Sequence, residues 1–168
     1  MWAILPQTWV GNLLGSVFVA LLYSWGGGGL LPVDTSLVHT VALAKTSQSA
    51  MALFFKGALC NWLVCLAIWM AIRTEGAAKF IAIWWCLLAF IASGYEHSVA
   101  NMTLFALSWF GHHSDAYTLA GIGHNLLWVT LGNTLSGVVF MGLGYWYATP
   151  QSERPAPEKT NETESLAQ

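Results

Sequence analysis

Long apolar stretches separated by short polar segments dominate the chain, and four of them are long enough to cross a membrane. A membrane-spanning helix needs about 20 predominantly apolar residues. We place the four spans at Trp2–Trp25, Ala50–Ile72, Phe80–Phe110 and Asn125–Tyr147. The pattern therefore predicts an all-α membrane protein built as a helical bundle.

The third stretch is too long for one straight span. As a continuous helix, Phe80–Phe110 would measure roughly 46 Å, whereas the hydrocarbon core of a bilayer is about 30 Å thick. Polar residues from Ser93 to His97 interrupt the stretch near its middle. We therefore expect two half-helices separated by a break at mid-membrane depth.

The first and fourth spans resemble each other in sequence. Aligned without gaps they share the pairs Gly11/Gly132, Asn12/Asn133, Leu14/Leu135, Val17/Val138, Leu22/Leu143 and Trp25/Trp146. Because these spans cross in opposite directions, the similarity predicts an inverted repeat with a three-span unit. We then expect four spans of a six-span protein, with two spans missing before the first.

Composition supports a membrane location and excludes one class of partner. Charged residues make up 8% of the chain, whereas soluble proteins carry about 25%. The ten Trp and eight Phe suit the boundary between lipid and water. The net charge of −2 leaves no basic stripe to neutralise phosphates, so nucleic acid is not an expected partner.

The positions of Lys and Arg predict the orientation of the chain. Arg73 and Lys79 flank the loop between spans two and three, and two more basic residues lie near the C-terminus, whereas Lys45 lies in the opposite connection. We expect residues 1–148 to form an N-terminally truncated transmembrane domain. Residues 149–168, rich in Pro, Glu, Ser and Thr, are expected to form a disordered cytoplasmic tail.

Two ionisable residues at the break are the first functional candidates, because ionisable groups at this depth are functional by default. The N-terminus of a half-helix pointing at the midplane favours an anion. We assign His97 a functional role; the alternative is a neutral imidazole bonded to Asn101 on the same helical face. For Glu96 we favour a structural role, in which its carboxylate caps the N–H groups freed by the break.

Four further polar residues lie near or inside the spans. Lys45 either draws anions to a pore mouth or extends its ammonium to the interface, and Lys56 is expected to extend to the interface as well. Asn61 and Asn133 are single amides in apolar helices. Each bonds either a passing ion or, as is commoner, a neighbouring helix.

The remaining histidines give no metal or cofactor site. Their spacing does not fit a closed zinc site, and we expect solvated loop residues at His39, His112, His113 and His124. A haem-bearing membrane anchor needs paired histidines at matched depth, yet only His97 is deep. We expect no metal and no cofactor.

Two segments carry a family resemblance. Phe54–Ala67 reads FFKGALCNWLVCLA, Gly94–Met102 reads GYEHSVANM, and Gly132-Asn133 follows in the last span. Together they resemble the formate/nitrite transporter family, with a match from Trp2 to about Tyr147. The resemblance implies a six-span, aquaporin-like protomer, assembled as a homopentamer in the bacterial inner membrane, in which each protomer has its own pore.

The same resemblance implies roles for five residues. His97 matches the family's central pore histidine and Lys45 its vestibule lysine. Asn61 and Asn133 match its pore-associated asparagines, and Phe90 an aromatic residue of a hydrophobic constriction.

A transport function without enzymatic activity follows from these matches. The resemblance implies passage of nitrite and other small monovalent anions such as formate. At the midplane His97 would either donate an N–H bond or lend a proton. The alternatives are a formate or short-chain acid channel and a truncated remnant that does not conduct.

Overall fold

The computed structural model describes residues 4–29, 31 and 36–150, and this part of the chain is helical with no strand. The helices are α1 (Ile4–Trp25), α2 (Leu37–Thr46), α3 (Ala50–Arg73), α4 (Gly76–Ala92), α5 (Ser98–Trp109) and α6 (Leu119–Leu135). A π-helical segment, Ser136–Leu143, continues α6 and leads into a short α7, Gly144–Ala148. The predicted all-α class is confirmed.

Three of these helical runs are long and apolar enough to cross a membrane: α1, α3 and the 30-residue run Leu119–Ala148. The predicted third span is broken, as expected, because α4 ends at Ala92 and α5 begins at Ser98. The fourth predicted span, Asn125–Tyr147, lies inside a longer helical run. The helix begins at Leu119, where the Thr118 hydroxyl caps it by accepting the Gly121 N–H at 3.1 Å.

The connection after α1 contains a helix that the apolar pattern did not predict. Helix α2 has only 10 residues, too few for a span, and the Ser36 hydroxyl caps its first turn. Its last turn carries Lys45. The predicted tail lies outside the described residues from position 151 onward, as does Trp2 at the start of the first predicted span.

Helices α3 and α6 form the most extensive packing contact among the described residues. Two glycines allow their backbones to approach. A Cβ at Gly57 would lie 2.8 Å from the Val129 carbonyl oxygen, and one at Gly132 would collide with the Phe54 carbonyl. Such small residues are typical of helix contacts in membranes, where close backbone approach replaces hydrophobic burial.

A buried cluster ties α2 to the second half-helix and to α6. It consists of Ala42, Met102, Phe105, Tyr117 and Leu126. The cluster fixes α2 beside α5, so that the last turn of α2 ends near the break between α4 and α5.

Candidate functional site

The break between α4 and α5 is a short turn followed by extended backbone. Gly94 has a φ of +64°, a conformation that glycine adopts without steric penalty. The Gly94 N–H donates to the Ile91 carbonyl and the Tyr95 N–H to the Phe90 carbonyl, both at 3.1 Å. These bonds satisfy the end of α4 and turn the chain toward α3.

The side chain of Asn133, on α6, binds the backbone at the end of the break, where α5 begins. Its Nδ2 donates to the carbonyls of Gly57 at 2.8 Å and Glu96 at 3.1 Å, while its Oδ1 accepts the Ser98 N–H at 3.0 Å. Asn61 in turn donates to the Asn133 carbonyl at 2.7 Å. Both asparagines therefore bond neighbouring helices, the commoner of the two roles weighed above.

His97 occupies the N-cap position of α5 and is half-buried. Its Nδ1 accepts the Ala100 N–H across a long 3.5 Å contact. In a neutral imidazole that accepts through Nδ1, the proton resides on Nε2. Among the residues that the structure describes, none forms a hydrogen bond with Nε2.

The alternative partner considered for His97 is wrong. Asn101 points instead to Glu96, donating through Nδ2 to Oε2 at 2.6 Å, and to Asn125 Oδ1 at 3.0 Å. The His97 ring faces Phe90, with ring centroids 6.2 Å apart. A half-buried aromatic ring thus lies beside the imidazole.

Glu96 does not cap the freed N–H groups of the break, which corrects the expectation for this residue. Those groups are already taken by Asn133 and His97. The Glu96 side chain is 1% exposed and forms an ion pair through Oε2 with Lys45 Nζ at 2.8 Å. Gln48 Nε2 donates to Oε1 at 3.2 Å. The carboxylate is therefore buried and bonded through both oxygens.

Lys45 is an ion-pair partner rather than an isolated lysine at the interface. Its side chain is 18% exposed, and its carbonyl accepts from Asn125 Nδ2 at 3.0 Å, which fixes the end of α2 against α6. Lys56 was also expected to extend to the interface. Its ammonium instead donates to Gln48 Oε1 at 2.7 Å.

Three polar residues at the site were missed in the sequence: Gln48, Asn125 and Ser98. Asn125 had a usable signal, because an amide in an apolar helix needs a partner. Gln48 had none, since it lies in a short turn that looks solvated. Ser98 contributes only its backbone N–H, which no side-chain pattern identifies.

His39 and His124 are not solvated loop residues. His39 is buried in α2, where its ring nitrogens lie 2.9 Å from the Ser108 hydroxyl and 3.0 Å from the Leu31 carbonyl. His124, on α6, contacts the Gln48 carbonyl through Nε2 at 3.2 Å. Both connect segments at the end of the bundle that carries Lys45. Within the described ranges, no group of three His, Cys, Asp or Glu side chains could hold a metal ion.

A groove of about 470 Å³ lies beside the break. Its walls come from α1, from the first turn of α5 and from α6, and its polar lining comprises Thr8, Trp9, Asn12, Ser98, Thr130, Asn133 and Thr134. The rest of the lining is apolar. The start of the second half-helix therefore borders an open space with sparse polar groups.

Three membrane-length helices, together with two half-helices that meet at a break beside a buried ion pair, define a multi-pass membrane protein of the transporter and channel class. The family model described as formate/nitrite transporter matches residues 1–147. The chain belongs to the formate/nitrite transporter family, and the resemblance found in its sequence is confirmed.

Individual relatives support this assignment. The chain is 89% identical over 167 residues to the nitrite transporter NirC of Salmonella typhimurium strain LT2, an alignment covering 99% of this chain and 62% of that protein. A solved structure described as an FNT family ion channel matches with a TM-score of 0.87 and 92% identity, over 89% of this chain and 60% of the other.

A more distant solved structure also matches. This pentameric formate channel with formate bound gives a TM-score of 0.71 at 28% identity, over 83% of this chain and 62% of the other. The chain thus spans about three fifths of the length of the relatives it matches.

Proposed function

We propose that this chain forms part of a pore that passes nitrite, and related small monovalent anions such as formate, across the bacterial inner membrane. The observation that carries the proposal is the His97 imidazole at the break, whose Nδ1 accepts a backbone N–H while Nε2 has no partner among the described residues. The printed names of the relatives, a nitrite transporter and a formate channel, support this class of substrate.

The proposed mechanism offsets the charge of an anion at the point where it loses water. A bare anion in apolar surroundings is unfavourable unless donors replace its hydration shell. Lys45 raises the local anion concentration at the entrance, and Phe90 narrows the path beside His97. The His97 Nε2–H then donates to the anion. The proposal involves transport alone, with no covalent bond made or broken.

We further propose that the protein acts as a homopentamer with six spans in each protomer. The bundle exposes large apolar side chains on several of its helices, including Phe18, Trp62, Trp84 and Phe140. Such surfaces suit contacts with lipid and with neighbouring copies. The relative described as a pentameric channel supports the same assembly.

Replacing His97 by Phe in the intact protein tests the proposed pore. Nitrite flux into proteoliposomes should fall about tenfold or more, because a hydrogen bond to a charged group contributes about 1.5–3 kcal/mol. The variant should assemble like wild type on size-exclusion chromatography, since Phe conserves the ring. Unchanged nitrite flux would refute the role of His97.

Two control variants separate the pore role from the capping role. His97→Ser supplies a good N-cap for α5 without an imidazole, so it should lose flux as His97→Phe does. His112→Phe alters an exposed loop histidine and should leave flux unchanged. Competition between nitrite and formate in wild type then distinguishes a nitrite-selective pore from a formate channel.

A further inference from the structure

Gln48 joins a second lysine to the carboxylate of Glu96. Its Oε1 accepts from Lys56 Nζ at 2.7 Å, and its Nε2 donates to Glu96 Oε1 at 3.2 Å. Lys45 contacts the other carboxylate oxygen, Oε2, at 2.8 Å. Glu96 is therefore bonded to one cation directly and connected to another through a single amide.

The Lys56 ammonium dictates which way the Gln48 amide points. An ammonium only donates, so it selects the oxygen end of the amide, and the amide nitrogen is left to face Glu96. Turned the other way, the amide would place its oxygen against a carboxylate oxygen. The Lys56 contact thus makes Gln48 a donor to a carboxylate that is 1% exposed and out of reach of bulk water.

We propose that Lys56 and Gln48 are positioning residues of the pore. They hold Oε1 of Glu96, so that Oε2 holds the Lys45 ammonium in one place at the entrance. An ammonium has three N–H donors, and Glu96 takes one of them. In the part of the chain that the structure describes, nothing else accepts from this ammonium, so the other two donors remain for an arriving anion, at a lysine that is 18% exposed. This inference rests on the proposed function and assigns two more residues to the same site.

The charge balance supports the assignment. The two lysines and the single carboxylate, joined by hydrogen bonds, carry a formal net charge of +1. With Lys45 and Glu96 alone the charges would cancel. Lys56 thus keeps the entrance attractive to anions and also fixes the geometry of the pair.

Lys56→Gln in the intact protein, reconstituted in proteoliposomes, tests the proposal. The apparent KM for nitrite should rise about three- to tenfold, because both the net charge and the Lys45 position are lost. The maximal flux should stay within about twofold, since His97 is untouched. Gln48→Met should raise KM by less, because it removes the contact that positions Glu96 and leaves the Lys56 charge in place, and Lys56→Arg should keep the wild-type KM.

Two controls show whether Lys56 acts through Lys45. Lys79→Gln removes an exposed lysine outside the network and should leave KM unchanged. In a Lys45→Gln background, adding Lys56→Gln should raise KM by less than Lys56→Gln does alone, because only the charge of Lys56 is then lost and no Lys45 position remains to be fixed. An unchanged KM for Lys56→Gln alone, or an equal increase in both backgrounds, would overturn the positioning role.

Thermal unfolding of the same purified proteins separates this inference from the proposed function. Lys56→Gln should lower Tm in the presence of Glu96 but not in a Glu96→Gln background. A wild-type protein that passes no nitrite would refute the proposed function. The unfolding comparison would still show whether Lys56 acts on Glu96 through Gln48. Equal Tm losses in the two backgrounds would show that Lys56 does not act on Glu96.

Discussion

The side-chain amide of Asn133 stabilises the backbone on both sides of His97, where the break ends and α5 begins. Interrupting a helix inside a membrane leaves N–H and C=O groups that lipid cannot satisfy. Asn133 satisfies one on each side of His97, the Glu96 carbonyl and the Ser98 N–H. The backbone is therefore fixed at both residues next to His97, which holds the imidazole in one place. A site for a partly dehydrated solute requires such a fixed group.

Asn133→Leu should lower the free energy of unfolding by about 2–4 kcal/mol, because buried backbone groups lose their partners while the side-chain volume is nearly conserved. Chemical denaturation of the purified intact protein in detergent measures the change. Asn12→Leu is the matched control, since half-buried Asn12 donates to the carbonyl of Thr8 on its own helix and bonds no other helix among the described residues. Similar losses for the two variants would contradict the role given to Asn133.

The sequence predicted which residues form much of the site, but not which of them contact each other. Hydropathy identified Glu96 and His97 because ionisable groups stand out in an apolar stretch. It could not show that Glu96 turns away from the break to meet Lys45, since that contact depends on where α2 ends. His97 is instead the N-cap residue of α5, and its imidazole accepts the Ala100 N–H.

At the scale of elements, the crossing of α3 and α6 controls the position of the break. The carbonyls of Lys56 and Gly57, on α3, receive the Glu96 N–H and the Asn133 amide. Any separation of the two helices would lengthen these bonds. The glycines at the crossing thus contribute to the site without contacting a solute.

Gly132→Ala should destabilise the intact protein by about 1–3 kcal/mol, because overpacking forces a shift of backbone. The obstacle is the Phe54 carbonyl, which a side chain cannot displace by changing rotamer. Gly123→Ala, on the same helix, meets no atom within 4 Å. It should leave stability unchanged or raise it by at most about 1 kcal/mol. Thermal unfolding in detergent compares the two, and equal effects would contradict the packing argument.

The length of a helix largely decided whether the sequence predicted it. Apolar stretches near 20 residues identify membrane helices reliably, which is why α1 and α3 were found. Helix α2 was missed because its 10 residues are too short for that signal. The π-helical segment after Leu135 was missed because neither periodicity nor composition separates it from an α-helix. Asn61 donates to the Asn133 carbonyl just before this segment.

At the scale of the whole molecule, the polar contacts of the site lie between the break and one end of the bundle. The carbonyl of Lys45 and the backbone of Gln48, both between α2 and α3, contact α6. At the opposite end, Arg73 is the last residue of α3, and its guanidinium carbon lies 5.2 Å from the centroid of the Trp69 ring. The bundle therefore differs chemically at its two ends, and which end faces the cytoplasm stays a prediction.

That orientation can be tested with single cysteines placed in exposed loops at the two ends. Glu75 lies between α3 and α4 and Asp115 between α5 and α6, and both are exposed. If Arg73 and Lys79 mark the cytoplasmic side, a membrane-impermeant maleimide should label Asp115→Cys in intact cells. It should label Glu75→Cys only in inverted membrane vesicles.

The native thiols do not obscure this measurement. Cys60, Cys65 and Cys86 are free and lie within α3 and α4, and a background in which all three are Ala removes residual labelling. The reverse pattern would place the Lys45 end in the cytoplasm. The proposed entrance would then face the cell interior, and because the Lys45–Glu96 pair sits between that entrance and His97, anions leaving the cell would meet the lysine first.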